Sequence, residues 1–216
     1  MSHLTPANER NPAQIHHPVF AAVYDWLAHR GPVRRMNDPL RQETAGQAYG
    51  LVLEVGAGSG LNFPFYTPGR VERVEAVEPD AAMLAYARRR LATAPVPITL
   101  TQAPVEALPF SDALFDSVVA TLVFCSVADP ARGFYEIKRA LKPGGTLLLV
   151  EHVRAVASIS AHIQDALVPL TTRLFGNCHW NRDTARTVRD AGFQITHIRQ
   201  VGGALLPIIV LQAISN

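Results

Sequence analysis

An apolar run that ends abruptly in alternating glycines does most to narrow what this chain can become. Leu51, Val52, Leu53 and Val55 read as a strand buried on both faces, and Gly56, Gly58 and Gly60 follow at once. Such a strand belongs to a parallel sheet, which helices must cover above and below. Glycine tolerates positive φ and has no side chain, so three of them in five residues let the turn approach a bound ligand closely.

Two nucleotide-binding patterns fail on this stretch. The dinucleotide fingerprint G-x-G-x-x-G requires a third glycine where Leu61 stands, and the phosphate loop requires Lys-Ser/Thr where Leu61-Asn62 follows. What remains is an acidic-x-G-x-G-x-G turn led by Glu54. A second strand, residues 71–77, ends in Glu78, an acid placed to accept hydrogen bonds from both hydroxyls of a ribose. Taken singly, each cue leaves a bland alternative open, a tight βα connection for the glycines and a solvated acid at a strand end for Glu78. Together they favour a nucleoside ligand without a pyrophosphate.

Five stretches now stand in a recognisable order: Leu53-Glu-Val-Gly-Ala-Gly-Ser-Gly60, Val77-Glu-Pro-Asp80 with Met83, Glu106-Ala-Leu-Pro-Phe-Ser-Asp112, Phe115-Asp-Ser-Val118, and Leu141-Lys-Pro-Gly-Gly145. On these the chain resembles the class I S-adenosylmethionine-dependent methyltransferases over most of its length. The resemblance implies S-adenosyl-L-methionine as cofactor, held by Glu54, Gly56, Ala57, Gly58, Gly60, Glu78, Pro79, Met83, Val105, Glu106, Thr121 and Leu122. One departure concerns the loop at 103–109 that embraces adenine in this family. An Asp is frequent two positions before the Glu, and here Pro104 offers neither a carboxylate nor an amide hydrogen. Adenine recognition is then expected from the Val105 backbone and apolar neighbours such as Met83.

The order of elements supports the same architecture. Helices are expected over 18–29, closed by Gly31-Pro32, over 81–91 behind an Asp80 cap, over 130–141, over 158–175 and over 181–191. A short helical piece interrupted by Pro64 follows the glycine turn. Further strands are expected at 97–101, 115–121, 146–150, 193–199 and 206–213, with Lys142-Pro-Gly-Gly145 as a turn. The sum is an α/β fold, Rossmann-like, with a seven-stranded and mostly parallel sheet, helices on both faces and the last strand antiparallel. Residues 1–14 read as disordered and 15–216 as a single domain opened by a lid helix at 18–30. Arg88, Arg89 and Arg90 read as a solvated helix end that suits the helix dipole.

Composition excludes several partners. With 20 basic and 18 acidic side chains the charge is nearly balanced, so no general nucleic-acid surface is expected. No apolar run approaches the roughly 18 residues of a membrane span, and the polar N-terminus does not resemble a signal peptide. A cytoplasmic enzyme with a small-molecule acceptor is expected, as monomer or homodimer, with peripheral membrane contact through 18–29 left open. Cys125 and Cys178 lack metal-type spacing and read as free thiols, so no metal is expected.

Methyl transfer from a sulfonium needs alignment and, for some acceptors, removal of a proton. His152, where the fifth strand of the parallel series ends, is the candidate base, with a histidine capping the strand end as the alternative. Tyr24 from the lid, Cys125, His179 and Trp180 are candidates for the acceptor wall. Each has a structural alternative: a ring at the core edge for Tyr24, an inert thiol for Cys125, and a loop leading to an Asn181 helix cap for the last two. Asn62-Phe-Pro-Phe-Tyr66, Thr121-Leu-Val-Phe-Cys-Ser-Val127 and Glu151-His-Val153 with Gly176-Asn-Cys178 look closest to animal microsomal thiol S-methyltransferases. Phosphatidylethanolamine N-methyltransferases and quinone C-methyltransferases carry similar segments. A small apolar acceptor, preferably a thiol, is therefore expected, and a non-catalytic nucleoside-binding module is the alternative of another class.

Overall fold

The computed structural model describes residues 17–174 and 177–216, so the reading of 1–14 and the parts of others that fall on Phe175 and Gly176 lie outside the described residues. The elements run α1 (Pro18–Ala28), α2 (Gly31–Thr44), β1 (Gly50–Val55), β2 (Val71–Val77), α3 (Ala81–Arg90), β3 (Ile98–Thr101), β4 (Phe115–Thr121), α4 (Pro130–Ala140), β5 (Leu141–His152), α5 (Ser158–Leu174), α6 (Thr184–Asp190), β6 (Phe193–Gly202) and β7 (Pro207–Ser215). One seven-stranded sheet has the order β3-β2-β1-β4-β5-β7-β6. Only β7 runs against its neighbours, pairing antiparallel with both β5 and β6. The expected fold is therefore present.

Alternation along β1 explains the two-sided core. Leu51, Leu53 and Val55 pack with Phe134 and Ile137 of α4 and Val188 of α6. Val52 faces the other way, toward Phe63, Tyr66 and Ala87 of α3. Period-two geometry puts Glu54 on the Val52 face, beneath the glycine turn. Between Leu141, paired with Phe115, and Thr146, paired with Ser117, the four residues Lys142 to Gly145 bulge from β5, with Gly144 at φ +77°. The expected turn is thus a bulge that sets the register of the strand.

Three readings need correction. Gly31-Pro32 does not only close α1; Pro32 sits in the first turn of α2, where a missing N–H costs nothing. That helix escapes pattern reading because it is polar, contains Pro39, and buries mainly its last turn, at Leu40, Arg41 and Thr44. The helix expected from 181 begins at Thr184, capped by Asp183, whose side chain accepts from Arg186 N; Asn181 instead donates to Asp165. Arg90 is no solvated end: it reaches Asp25 Oδ1 at 2.7 Å, His29 Nε2 at 2.9 Å and the Ser59 carbonyl. It therefore ties α1 to the glycine turn.

The strand order reverses between β1 and β4, and open α/β sheets bind ligands in the crevice outside such a point. Two helices lean over this crevice. Ala21, Phe20 and Tyr24 of α1 pack on Ala82, Met83 and Tyr86 of α3. From α2, Leu40 packs on Val150, Ile208 and Val210. Among the described residues no helix is long and apolar enough to cross a membrane.

Candidate active site

The three glycines hold φ values of +64°, +55° and +83°, all left-handed, but they serve different ends. A Cβ on Gly56 would stand 2.6 Å from the Val123 methyls, and one on Gly60 would stand 2.6 Å from the Phe63 ring. At Gly58 the nearest atom would be 3.9 Å away, so this residue faces open space. Gly56 and Gly60 are required by packing, whereas Gly58 leaves room for a ligand. Ala57 is buried, and its N–H closes the turn on the Val77 carbonyl.

Beneath the turn lies a buried polar chain. Asn62 Nδ2 donates to Glu54 Oε1 at 3.0 Å and to Thr121 Oγ1 at 3.2 Å. Tyr66 donates to Glu54 Oε2 at 2.7 Å, and Arg41 Nη1 donates to Asn62 Oδ1 at 2.6 Å. Burial pushes the Glu54 carboxyl up to about 7, against the bonds from Tyr66 and Asn62. Expected to touch the ligand, Glu54 is 1% exposed and has both oxygens engaged by protein, so here it supports the turn from below. The sequence reading missed Arg41, Asn62 and Tyr66. An Asn and a Tyr just after the glycines were visible signals, but nothing local ties Arg41 to them.

Glu78 occupies the crevice at the end of β2. Its Oε2 accepts from Gly58 N and its Oε1 from Asp80 N, both at 2.9 Å. Burial pushes its carboxyl up to about 7, against those two amide bonds. A carboxylate offers about four lone-pair sites, so acceptor capacity remains for two hydroxyls. Asp80 caps α3 through Oδ1 and takes the His17 N–H on Oδ2, which keeps Pro79 and Met83 beside Glu78. Val105 is buried against Gly133 and Phe124. Glu106 differs from its expected role: its Oε1 accepts from Ala128 N at 3.1 Å and Asp129 N at 3.2 Å. It thereby holds the entry to α4.

These two acids set a pH dependence of folding. Folded values near 7 lie above the unfolded value of about 4.5, so the native state holds extra protons between them. Stability from protonated Glu54 and Glu78 is full below about pH 4.5 and is lost as pH rises through about 7. A shift of that size corresponds to about 3 kcal/mol per group. Urea unfolding of ligand-free protein should show greater stability at pH 5.5 than at pH 8, with a smaller difference in Glu54→Gln. Equal pH sensitivity in the variant would contradict the assignment.

At the other end of the crevice, the loop after β4 is strained and tightly held. Leu122 has φ +58°, a region that costs a branched side chain about 1–2 kcal/mol. Its N–H donates to the Val150 carbonyl at 2.7 Å. The Glu151 carboxylate then accepts the amides of Val123, Phe124 and Cys125. Fully buried, Glu151 has its carboxyl pushed well up by desolvation, which the amide bonds oppose. It was missed as a site residue, although it directly precedes His152.

Here His152, Cys125 and Cys178 meet. Cys125 is buried and Cys178 half-buried. A hydrogen bond between the thiols, together with burial, raises Cys125, while the same bond lowers Cys178. Burial works to lower the His152 imidazole, but Cys125 and Glu151 outweigh it and raise the group. His179 N donates to the Cys125 carbonyl at 2.7 Å, so His179 borders the same loop, whereas the Trp180 carbonyl accepts from Gln164 Nε2 at 3.2 Å. Burial pushes the Tyr24 hydroxyl up, with nearby Cys125 and Glu78 adding to the rise and Arg41 opposing it. A cleft of about 430 Å³ runs between α1, α2 and the glycine turn, lined by Tyr24, Arg41, Gly60, Leu61, Arg90 and Leu122 among others.

Comparison with known proteins fits this geometry. The family described as "Methyltransferase domain" matches residues 53–149, which hold the glycine turn, Glu78 and the loop after β4. A thiol S-methyltransferase from Homo sapiens is 32% identical over 169 residues, covering 76% of this chain and 68% of that one. One from Rattus norvegicus is 32% identical over 146 residues, covering 66% of this chain and 59% of that one, so the chain spans less than two thirds of the rat protein. A phosphatidylethanolamine N-methyltransferase from Cereibacter sphaeroides is 31% identical over 170 residues, 76% of this chain and 78% of that one. Among solved structures, the geranyl diphosphate C-methyltransferase of Streptomyces coelicolor A3(2), in complex with S-adenosyl-L-homocysteine, has a TM-score of 0.66. It is 15% identical, with 86% of this chain and 78% of that chain covered, and shares the fold.

Proposed function

The chain belongs to the class I S-adenosylmethionine-dependent methyltransferases, and from that premise we propose that it methylates a small, fairly apolar thiol. The residues present suit the cofactor: Gly58 leaves open space, Glu78 has acceptor capacity inside the crevice, and Arg41 lines the adjoining cleft. In this reading Glu78 holds the ribose, Met83 and the Val105 backbone border the adenine, and Arg41 pairs with the amino-acid carboxylate. When bound, S-adenosylmethionine supplies an electrophilic methyl on a sulfonium. The chain's own task is to orient, to exclude water and to leave the acceptor deprotonated.

The observation that carries the acceptor class is the composition of the wall beyond Leu122. Glu151, the carboxylate that holds this loop, is committed to the amides of Val123, Phe124 and Cys125, so it is not free to ionise an alcohol. A thiol, with an ordinary pKa of about 8.5, needs only modest help to become a nucleophile. The likeness to thiol S-methyltransferases points the same way. The test is an acceptor series of apolar thiols, phenols, amines and lipids with a radiolabelled methyl donor. Methylation of thiols first is expected; transfer to none of them despite tight cofactor binding would favour a non-catalytic nucleoside-binding module.

One observation favours a second reading, methylation of a phospholipid headgroup. On α1, Val19, Val23, Trp26 and Leu27 face outward and are exposed, as an interfacial helix requires. Liposomes containing phosphatidylethanolamine separate the two by whether methylated ethanolamine appears.

Arg41 gives a further check. Arg41→Met should weaken S-adenosylhomocysteine binding about tenfold, the loss of one charge-assisted hydrogen bond. Calorimetric titration measures it, and unchanged affinity would remove Arg41 from the site.

A further inference from the structure

Cys125, His152 and Cys178 come from three separate segments: the loop after β4, the end of β5 and the stretch beyond α5. One ligand atom from each lies within 4.8 Å of the other two. Nδ1 of His152 is fully buried and, among the described residues, has no hydrogen-bond partner. A buried ring nitrogen without a partner, beside two thiols, requires an explanation.

The surroundings fix the cluster rather than merely enclose it. Glu151 holds the Cys125 amide, and the Cys125 carbonyl accepts from His179 N, the residue after Cys178. Asn177 Nδ2 donates to the Ser126 carbonyl at 3.2 Å, and Arg182 donates to the carbonyls of Phe124 and Val127. The two cysteine-bearing segments are thus bound to each other by one backbone hydrogen bond and by side-chain donors to backbone carbonyls, the outer support on which metal ligands depend.

We propose that Cys125, His152 and Cys178 form a three-ligand site for a zinc ion. Two sulfur donors and an imidazole suit zinc and exclude hard cations, which need oxygen ligands. Three protein ligands also leave a fourth tetrahedral position open, the arrangement of reactive rather than structural zinc. The absence of local Cys-x-x-Cys spacing hid the set from sequence reading. His152 becomes a ligand instead of the expected base. If the thiol reading of the acceptor holds, the open position is where its sulfur binds and its proton is released to solvent; that extension rests on the reading above, and the zinc site itself does not.

The experiment uses the untagged full chain, reduced and then freed of reductant, titrated with Co2+ alone and then with Zn2+. Expected are one equivalent of cobalt with tetrahedral d–d bands and a thiolate-to-cobalt charge-transfer band, bleached by one equivalent of zinc. Cys178→Ser, at a half-buried position, should keep the wild-type circular dichroism and lose more than about a hundredfold in zinc affinity. Zinc should also slow iodoacetamide alkylation of wild-type Cys178 by about tenfold, reversed by a chelator, because the metal-bound sulfur is shielded. A weak octahedral cobalt spectrum, unchanged affinity in folded Cys178→Ser, or a Cys125–Cys178 disulfide forming at the same rate with and without zinc would each overturn the site. Because no methyl donor or acceptor is present, a negative result leaves the proposed methyl transfer untouched, and a failed acceptor series leaves the zinc site untouched.

Discussion

Glu78→Ala is expected to lower affinity for S-adenosylhomocysteine by more than about a hundredfold. Two hydrogen bonds to a charged acceptor, at about 1.5–3 kcal/mol each, exceed the 2.7 kcal/mol or so that a hundredfold requires. The same carboxylate anchors Gly58 N and Asp80 N, so its removal also leaves two amides of the cofactor crevice without their acceptor. Glu78→Gln keeps an oxygen for one of these roles and should fall between wild type and alanine. Calorimetric titration of the three proteins, with urea unfolding to confirm that each is folded, measures the effect. An alanine variant that binds as wild type does would remove Glu78 from the ribose site.

The glycines should separate folding from binding. Gly56→Ala places a Cβ 2.6 Å from the Val123 methyls at a positive φ, and overpacking added to backbone strain should cost about 3 kcal/mol of stability. Gly60→Ala meets the buried Phe63 ring and should behave alike. Gly58→Ala has no such clash, so only the left-handed backbone cost of about 1 kcal/mol applies. Its Cβ nevertheless enters the crevice, and cofactor affinity should fall about tenfold or more through crowding. Thermal unfolding and calorimetry on all three variants give a pattern that uniform loop rigidity would not produce. Equal destabilisation by all three would contradict the distinct roles.

Much of the fold was legible because its signals are local. Continuous apolar runs, Asp80 before a helix and Asp129 before Pro130 mark elements through backbone chemistry that neighbouring residues settle. Glu78 was found for the same reason, as an acid ending a strand. Reading failed where local signals conflict. In α2 the Pro and polar residues argue against a helix, and only docking of Leu40 on β5 and β7 supplies what propensity lacks.

By itself, then, the sequence determined the strands of the sheet, the left-handed turn and the acid that ends the second strand, since each is marked by residues within its own segment. Tertiary structure alone decided that Arg41 would lie beside Asn62, that Arg90 would clasp α1, and that Cys125, His152 and Cys178 would converge. Such contacts depend on how helices dock and loops close on the finished sheet, and no pattern in neighbouring residues encodes distances across it.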